Sequence, residues 1–410
     1  MNLKNLRINY PELLTYLETH NYSRGYISKF RTEINHILNS NSSDIWSCYK
    51  DIYDGYVIST QSYVYLREKR TIIGAIERFD IYGQLPDGRT RQKLVQHNSY
   101  HLLIENYKVF IDLYCDLEHK RGKKNTTVST ESHNASVFLL SIQEQGIMNL
   151  NDVTEKNVLS FFITENGKLI RGCSYRKNIT AVFKACLIHY PEVCGKILSY
   201  LPMLRERRKT IQYLTTNEFS KIKATLLDCE SQLSFRNRAI ALLIMYTGLR
   251  GCDVSNMIFE SIDWENDKIF IVQQKTEVAL ELPLSAVVGN AIFDYLTKER
   301  PKVNSPYIFL TQNKPYNPFN NRSIGNIATK VMRLANVRTN KNDRKGFHLF
   351  RHHLATTLLG NNVPQPVISR TLGHTSPNSL YPYISADFVH LKECALSIDL
   401  FEMIEDGDLK

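Results

Sequence analysis

One stretch breaks an otherwise helical pattern. Lys268–Val272 and Val278–Leu282 are short β-forming runs, separated by the polar turn Gln273-Gln274-Lys275-Thr276-Glu277. Two such runs around a short polar turn predict a β-hairpin. The chain can therefore form one small antiparallel sheet inside a mainly helical protein. The segment leading into it is equally constrained. Thr215-Thr216-Asn217-Glu218 fits a capping box, with Thr215 at the N-cap and Glu218 at N3. Arg236–Tyr246 is a strongly apolar helix, and Gly248 ends it.

Apolar periodicity predicts helices elsewhere. They cover 11–17, 26–38, 63–79, 101–117, 136–145, 153–164 and 171–189, the last closed by Pro191. Beyond the hairpin they cover 287–298, 323–335, 352–359, 367–372 and 388–403. A Pro-Asp-Gly turn at 86–88, the polar break Lys120–Thr127 and the basic run Arg205–Lys209 separate blocks. The length of 410 residues exceeds one ordinary domain. The expected organisation is a helical N-terminal domain over 1–95, a second helical domain over 96–205, a basic linker at 206–211, an α+β domain over 212–403 and a tail at 404–410.

The formal net charge of +10 points towards a polyanion, and the basic residues recur in clusters rather than in one tail. The eight cysteines show neither a C-x-x-C pair nor zinc-ligand spacing, so free thiols are expected. There is no apolar run of membrane-spanning length and no apolar signal core behind Met1–Arg7. The reading is cytoplasmic, with no membrane partner and no cofactor.

Four stretches in the third block carry chemistry. They are Thr247-Gly248-Leu249-Arg250-Gly251-Cys252-Asp253, Gln274-Lys275-Thr276, His348-Leu349-Phe350-Arg351-His352, and Leu372-Gly373-His374 with Tyr383 nine positions after His374. Two planar guanidiniums, Arg250 and Arg351, suit the extra charge on the oxygens of a phosphorane. Taken alone, Arg250 reads rather as a helix-end arginine binding the last carbonyls, and the alternative for Arg351 is a surface ion pair. Asp253, three residues on, would orient Arg250. A tyrosine can form a covalent phosphoester. Lys275 at a hairpin tip is positioned to protonate a leaving oxygen, with Lys268 as the fallback. His348 and His374 can hydrogen-bond a phosphate or move a proton, with His352 in support. The nearby carboxylates form no ligand set, so no metal is expected.

Order and spacing of these stretches resemble the catalytic domain of the tyrosine recombinase/integrase family, whose pattern is T-G-x-R-x-x-E/D, a hairpin lysine, H-x-x-R-H, L-G-H and a tyrosine. The resemblance covers about 212–403 well, the middle block loosely and the first block hardly at all. It implies catalytic roles for Arg250, Lys275, His348, Arg351, His374 and Tyr383, with Asp253 and His352 supporting. It selects Tyr383 over its neighbour Tyr381 by spacing. Phe350 stands where leucine is frequent, and Ser379-Leu380 where a threonine pair is frequent. The middle block would be a core-binding domain that grips double-stranded DNA, with Lys123, Lys124, Arg207, Arg208, Arg344 and Lys345 on phosphates. The apolar tail around Leu396, Leu400 and Phe401 would dock on its own domain or link a homotetramer on DNA. Accessory DNA-bending or excision proteins are possible partners. The long N-terminal part resembles mobile-element integrases; it reads as an arm-type DNA-binding domain, an extension of the second domain or a protein-interaction module. Two competing readings are a type IB topoisomerase-like enzyme and a catalytically inactive DNA-binding regulator.

Overall fold

A chain in which apolar residues recur every three or four positions must bury stripes of helix against each other. The computed structural model follows that rule and describes residues 3–39, 46–86, 98–205 and 211–384. The turn residues Asp87 and Gly88, the linker residues Arg207 and Arg208, and the helix expected over 388–403 lie outside the described residues. Backbone contacts divide the chain into two compact units, residues 1–11 with 30–208 and residues 12–29 with 209–410.

The N-terminal helices are α1 (Lys4–Thr19), α2 (Arg24–Asn39), α3 (Tyr49–Ser59) and α4 (Tyr63–Tyr82). Helix α1 runs on through Pro11. Buried Asp80 on α4 explains itself by its partners: it accepts from the Leu6 amide and from the Tyr49 hydroxyl, each at 2.8 Å. Then come α5 (Glu105–Lys120), α6 (Asn125–Glu144), α7 (Glu155–Phe162), α8 (Cys173–Ala185) and α9 (Pro191–Tyr200). Their apolar faces share one core, with Phe110, Phe138, Phe161 and Phe183 among its fully buried side chains. Phe138 meets Phe161 edge to face at 5.2 Å and Phe183 at 5.9 Å. One expectation is corrected here. Helix α8 stops at Ala185, and Pro191 does not close it but opens α9. A proline at the first helical position lacks only an amide that would be unpaired anyway.

The other unit is built around α11 (Phe235–Thr247), whose residues Ala239–Met245 are all buried. Helix α10 (Thr216–Leu227) precedes it and starts in the expected capping box. After the short α12 (Gly251–Ser255) come β1 (Ile262–Asp263), β2 (Lys268–Val272) and β3 (Ala279–Pro283), antiparallel in that order. Ile269 pairs with Leu282 and Ile271 with Leu280, so the hairpin turn falls on Gln274–Thr276. Helices α13 (Ala286–Lys298) and α14 (Asn321–Leu334) cover the same core. Helices α15 (His348–Gly360), α16 (Gln365–Leu372) and α17 (Tyr381–Ile384) enclose a smaller cluster of Ala355, Leu359, Ile368, Leu372, Leu380 and Tyr383. The architecture is mainly α with one small antiparallel sheet. Among the described residues the cysteines are free thiols, and no helix is long and apolar enough to cross a membrane.

Because Phe138 is the ring on which two other core phenylalanines pack, Phe138→Ala should cost about 3–5 kcal/mol. Urea unfolding followed by far-ultraviolet circular dichroism checks this; a loss below about 1 kcal/mol would mean that the ring is not central to the core.

Candidate active site

A buried guanidinium needs acceptors. Arg351, on the first turn of α15, is only 7% exposed. Its two acceptors are helix ends. Nη1 donates to the Gly248 carbonyl at 2.8 Å and Nη2 to the Leu372 carbonyl. Gly248 caps α11 and Gly373 caps α16, both left-handed at φ 65°. That backbone favours glycine and leaves the last carbonyls without helical partners. The positive charge of Arg351 therefore sits against the negative ends of two helices rather than in an ion pair. Burial, and then the neighbouring Arg250, push its pKa down to about 10. The surface ion pair that Arg351 suggests in isolation is not what forms.

Arg250 is the N-cap of α12, and its Nη1 donates to the Gln273 side-chain oxygen. The hairpin residue Gln273 is fully buried. The same oxygen accepts from the Thr276 hydroxyl at 2.7 Å, and the Gln273 Nε2 donates to the Leu372 carbonyl at 3.2 Å. One amide thus ties Arg250, the hairpin turn and the carbonyl that holds Arg351. A side chain at Gly373 would have its Cβ 2.6 Å from the Gln273 Cδ, so the glycine is required by space as well as by φ.

Asp253 is 1% exposed, and its carboxylate accepts from the Gln274 amide at 2.9 Å. Its hydrogen bond goes to the hairpin turn, where the sequence suggested Arg250; its other oxygen has no hydrogen-bond partner among the described residues. Lys275 is exposed in the turn that Asp253 and Gln273 hold. Lys268, the fallback, pairs across the hairpin with Glu281 of β3 at 2.7 Å.

Tyr383 is buried on α17, while Tyr381 is 61% exposed. Burial raises the pKa of the Tyr383 hydroxyl, and the charges of Arg351 and Arg250 oppose that rise. Two histidines flank its ring. His374 lies parallel to it with centroids 6.2 Å apart, and His352 lies edge-on at 5.5 Å. The His352 Nδ1 is 2.8 Å from the Gln212 carbonyl, which fixes that ring. His348 sits 5.6 Å from His352, and its Nε2 accepts from Arg344 Nε at 2.9 Å. Desolvation, followed by the arginine charges, pushes His374 down to about 4; desolvation, Arg344 and His352 do the same for His348. The His374 Nδ1 is buried and has no partner among the described residues.

Arg250, Arg351, His348, His352, His374, Tyr383 and Asp253 thus fall in one network with the turn that carries Lys275. Gln273 belongs to it and is not among the residues singled out from sequence. The remaining basic candidates are placed otherwise. Lys123 is held by Glu118 at 2.9 Å and Glu131 at 2.6 Å, Lys124 is exposed at the N-cap of α6, and Lys345 lies three residues before His348. No cluster of three metal-ligating side chains occurs among the described residues.

Residues 212–390 match the phage integrase family. The integrase/recombinase y4gC of Sinorhizobium fredii is 32% identical over 199 residues, 48% of this chain and 96% of that one. Its relative y4rF from the same organism is 34% identical over 165 residues, 40% of this chain but only 38% of its own length. The crystal structure of the XerH site-specific recombinase bound to palindromic difH substrate superposes with a TM-score of 0.55 at 18% identity, over 73% of this chain and 98% of that one. Motif, site geometry and relatives agree: the chain belongs to the phage integrase family of tyrosine recombinases.

Proposed function

We propose that the protein is a site-specific DNA recombinase that cleaves and rejoins duplex DNA through a 3′-phosphotyrosine. The observation that carries this reading is the burial of Tyr383 beside the Arg351 guanidinium, with His374 and His352 on either side of its ring. In the proposed step the Tyr383 oxygen attacks the scissile phosphorus. The P–O bond to Tyr383 forms as the P–O5′ bond breaks. Lys275 delivers a proton to the 5′-oxygen, and the tyrosine proton leaves through a histidine or water. Arg250 and Arg351 stabilise the charge on the non-bridging oxygens. The bond energy is kept in the phosphotyrosine, so a 5′-hydroxyl can reverse the step without ATP. Tyr381, at 61% exposure, is the weaker alternative.

Recombination needs paired cleavages. We infer strand exchange through a Holliday junction between attachment sites held by a homotetramer, with accessory DNA-bending or excision proteins as candidate partners. Lys124, Arg207, Arg208, Arg344 and Lys345 are proposed phosphate contacts. Lys123 would have to leave two carboxylates to join them. XerH, whose structure resembles this one, was crystallised on its DNA substrate after cleavage.

The direct test is a nicked duplex carrying the attachment site, from which a short 5′-hydroxyl fragment diffuses away and leaves the adduct trapped. Wild type should give a covalent adduct on a denaturing gel, with or without EDTA. Tyr383→Phe should abolish it and Tyr381→Phe should not. Lys275→Ala should slow cleavage about 10²-fold or more, and a bridging sulfur at the 5′ position, which leaves without a proton, should restore most of that loss. An adduct that disappears with Tyr381→Phe, or none from wild type bound to its site, would sink the assignment.

The histidines give a separate check. Their pKa values are depressed, so His348 and His374 are neutral in the free protein above about pH 5. The unfolded chain binds the extra protons, so stability should fall as pH drops from about 6.5 towards 4. NMR titration should show neither ring protonating near 6.5 in the free protein, and an upward shift when a DNA phosphate offsets the arginine charges. Ordinary titration in the free protein would remove the basis for neutral histidines at the phosphate.

A further inference from the structure

Gln273 is the one fully buried polar side chain of the described catalytic region that touches three of the four chemical motifs at once. Its carboxamide oxygen accepts from Arg250 and from Thr276, next to Lys275, and its Nε2 donates to the Leu372 carbonyl. That carbonyl also receives Arg351. The Gly248 carbonyl, two residues before Arg250, receives the other arm of Arg351. The bonds therefore close a ring: Arg250 to Gln273, Gln273 to Leu372, Leu372 to Arg351, Arg351 to Gly248 and along the chain back to Arg250. We propose that Gln273 is the positioning residue of this active site, fixing the rotation of the Arg250 guanidinium and the reach of Lys275 relative to Arg351.

Arg250 is half-buried, and its side chain donates to the Gln273 oxygen, with no carboxylate in salt-bridge contact with it among the described residues. An amide oxygen is a neutral acceptor. It can orient a guanidinium without neutralising the charge that must meet the phosphate. A carboxylate there would orient Arg250 but compete with the phosphate for it. Besides its backbone bonds, the turn is tied to the rest of the site through two side chains, by Thr276 on Gln273 and by the Gln274 amide on Asp253. Removing the first loosens one of these ties, and Lys275 stands between the two. Gly373 supports the same reading from outside the hairpin: the space a Cβ would need there is filled by the Gln273 carboxamide. Gln273 touches no reacting atom, so its effect must pass through Arg250 and Lys275. The inference rests on the recombinase reading, and its test separates the two.

The variant is Gln273→Met, which keeps length and volume at a buried position and removes every hydrogen bond. Cleavage of the nicked duplex is followed in single turnover, giving a rate constant and an amplitude. A misplacement of about 1 Å in such a site costs on the order of 10²-fold. The expected result is a rate constant about 10²-fold lower, DNA affinity within about threefold of wild type and an unchanged amplitude. The sulfur-bridged substrate should return only part of the loss, because Lys275 is relieved and Arg250 is not. A smaller amplitude with a wild-type rate constant would mean a purely structural role and overturn the proposal, as would full restoration by sulfur. Thr276→Val removes one bond without touching Gln273 and should show a smaller loss of the same kind, which keeps the test decisive if Gln273→Met does not fold. Nitrogen NMR of the Arg250 guanidinium, assigned with Arg250→Lys, requires no activity. Two resolved Nη environments in wild type that average in Gln273→Met support the positioning role. The same pattern in both proteins overturns it, whether or not wild type forms an adduct.

Discussion

The site depends on how a buried arginine is kept charged without a counter-ion. Arg351 cannot leave its guanidinium unsolvated at 7% exposure, and the protein answers with two helix C-termini. Each helix is ended by a left-handed glycine, and each offers a carbonyl that its own helix cannot use. Much of the surrounding architecture follows. Helix α11 must end at Gly248, α16 must end at Leu372, and α15 must start where its first turn faces both ends. A carboxylate in their place would hold Arg351 more firmly but cancel its field. Carbonyl dipoles leave a net positive site, which is the condition for preorganised stabilisation of an anionic transition state.

The two glycines explain why motifs far apart in sequence are short and rigid in composition. Gly248 and Gly373 stand at φ 65°, where an added Cβ is strained by the backbone alone, and both are also crowded: by Leu354 and Leu372 around Gly248, and by Gln273 around Gly373. The Thr247 hydroxyl donates to the Leu243 carbonyl at 2.6 Å and accepts from the Leu249 amide at 3.3 Å, which fixes the exit from α11 just before Arg250. These are local devices, and local devices are what a sequence displays. The hairpin, the capping box at Thr215 and the glycine stop at Gly248 were all readable because each is decided by neighbours in the chain.

What the sequence hid is decided by distant partners. Gln273 sits in a polar turn and looks solvated; its burial comes from the Leu372 carbonyl, 99 residues away. Asp253 has the spacing to orient Arg250, but the α12 turn is so short that Arg250 is its cap and points to Gln273, while the acid meets the hairpin amide. Lys123 reads as a free cation in a basic run, yet Glu118 and Glu131 converge on it across two helices. Pro191 reads as a stop because proline at a helix interior breaks it, and only the turn at 186–190 reveals that a new helix begins there. In each case the residue type was informative and its partner was not.

The balance of charge around Tyr383 also restricts how the proposed reaction can run. Burial holds the phenol protonated, and the two arginines pull the other way without reversing it. A nucleophile of this kind is not stored as phenolate, so its proton has to depart as the bond to phosphorus forms. The neutral state of His374 and His348 fits that order: an imidazole that is already cationic could accept nothing. The depressed pKa of His374 comes partly from Arg351 and Arg250, the same arginines that oppose the rise at Tyr383, whereas the arginines acting on His348 are Arg344 and Arg338. An incoming phosphate would offset that positive field and make the histidines better bases. It would simultaneously weaken the pull on the tyrosine. In the proposed reaction the substrate's own charge would therefore shift the proton-accepting work from the field of the arginines to the imidazoles.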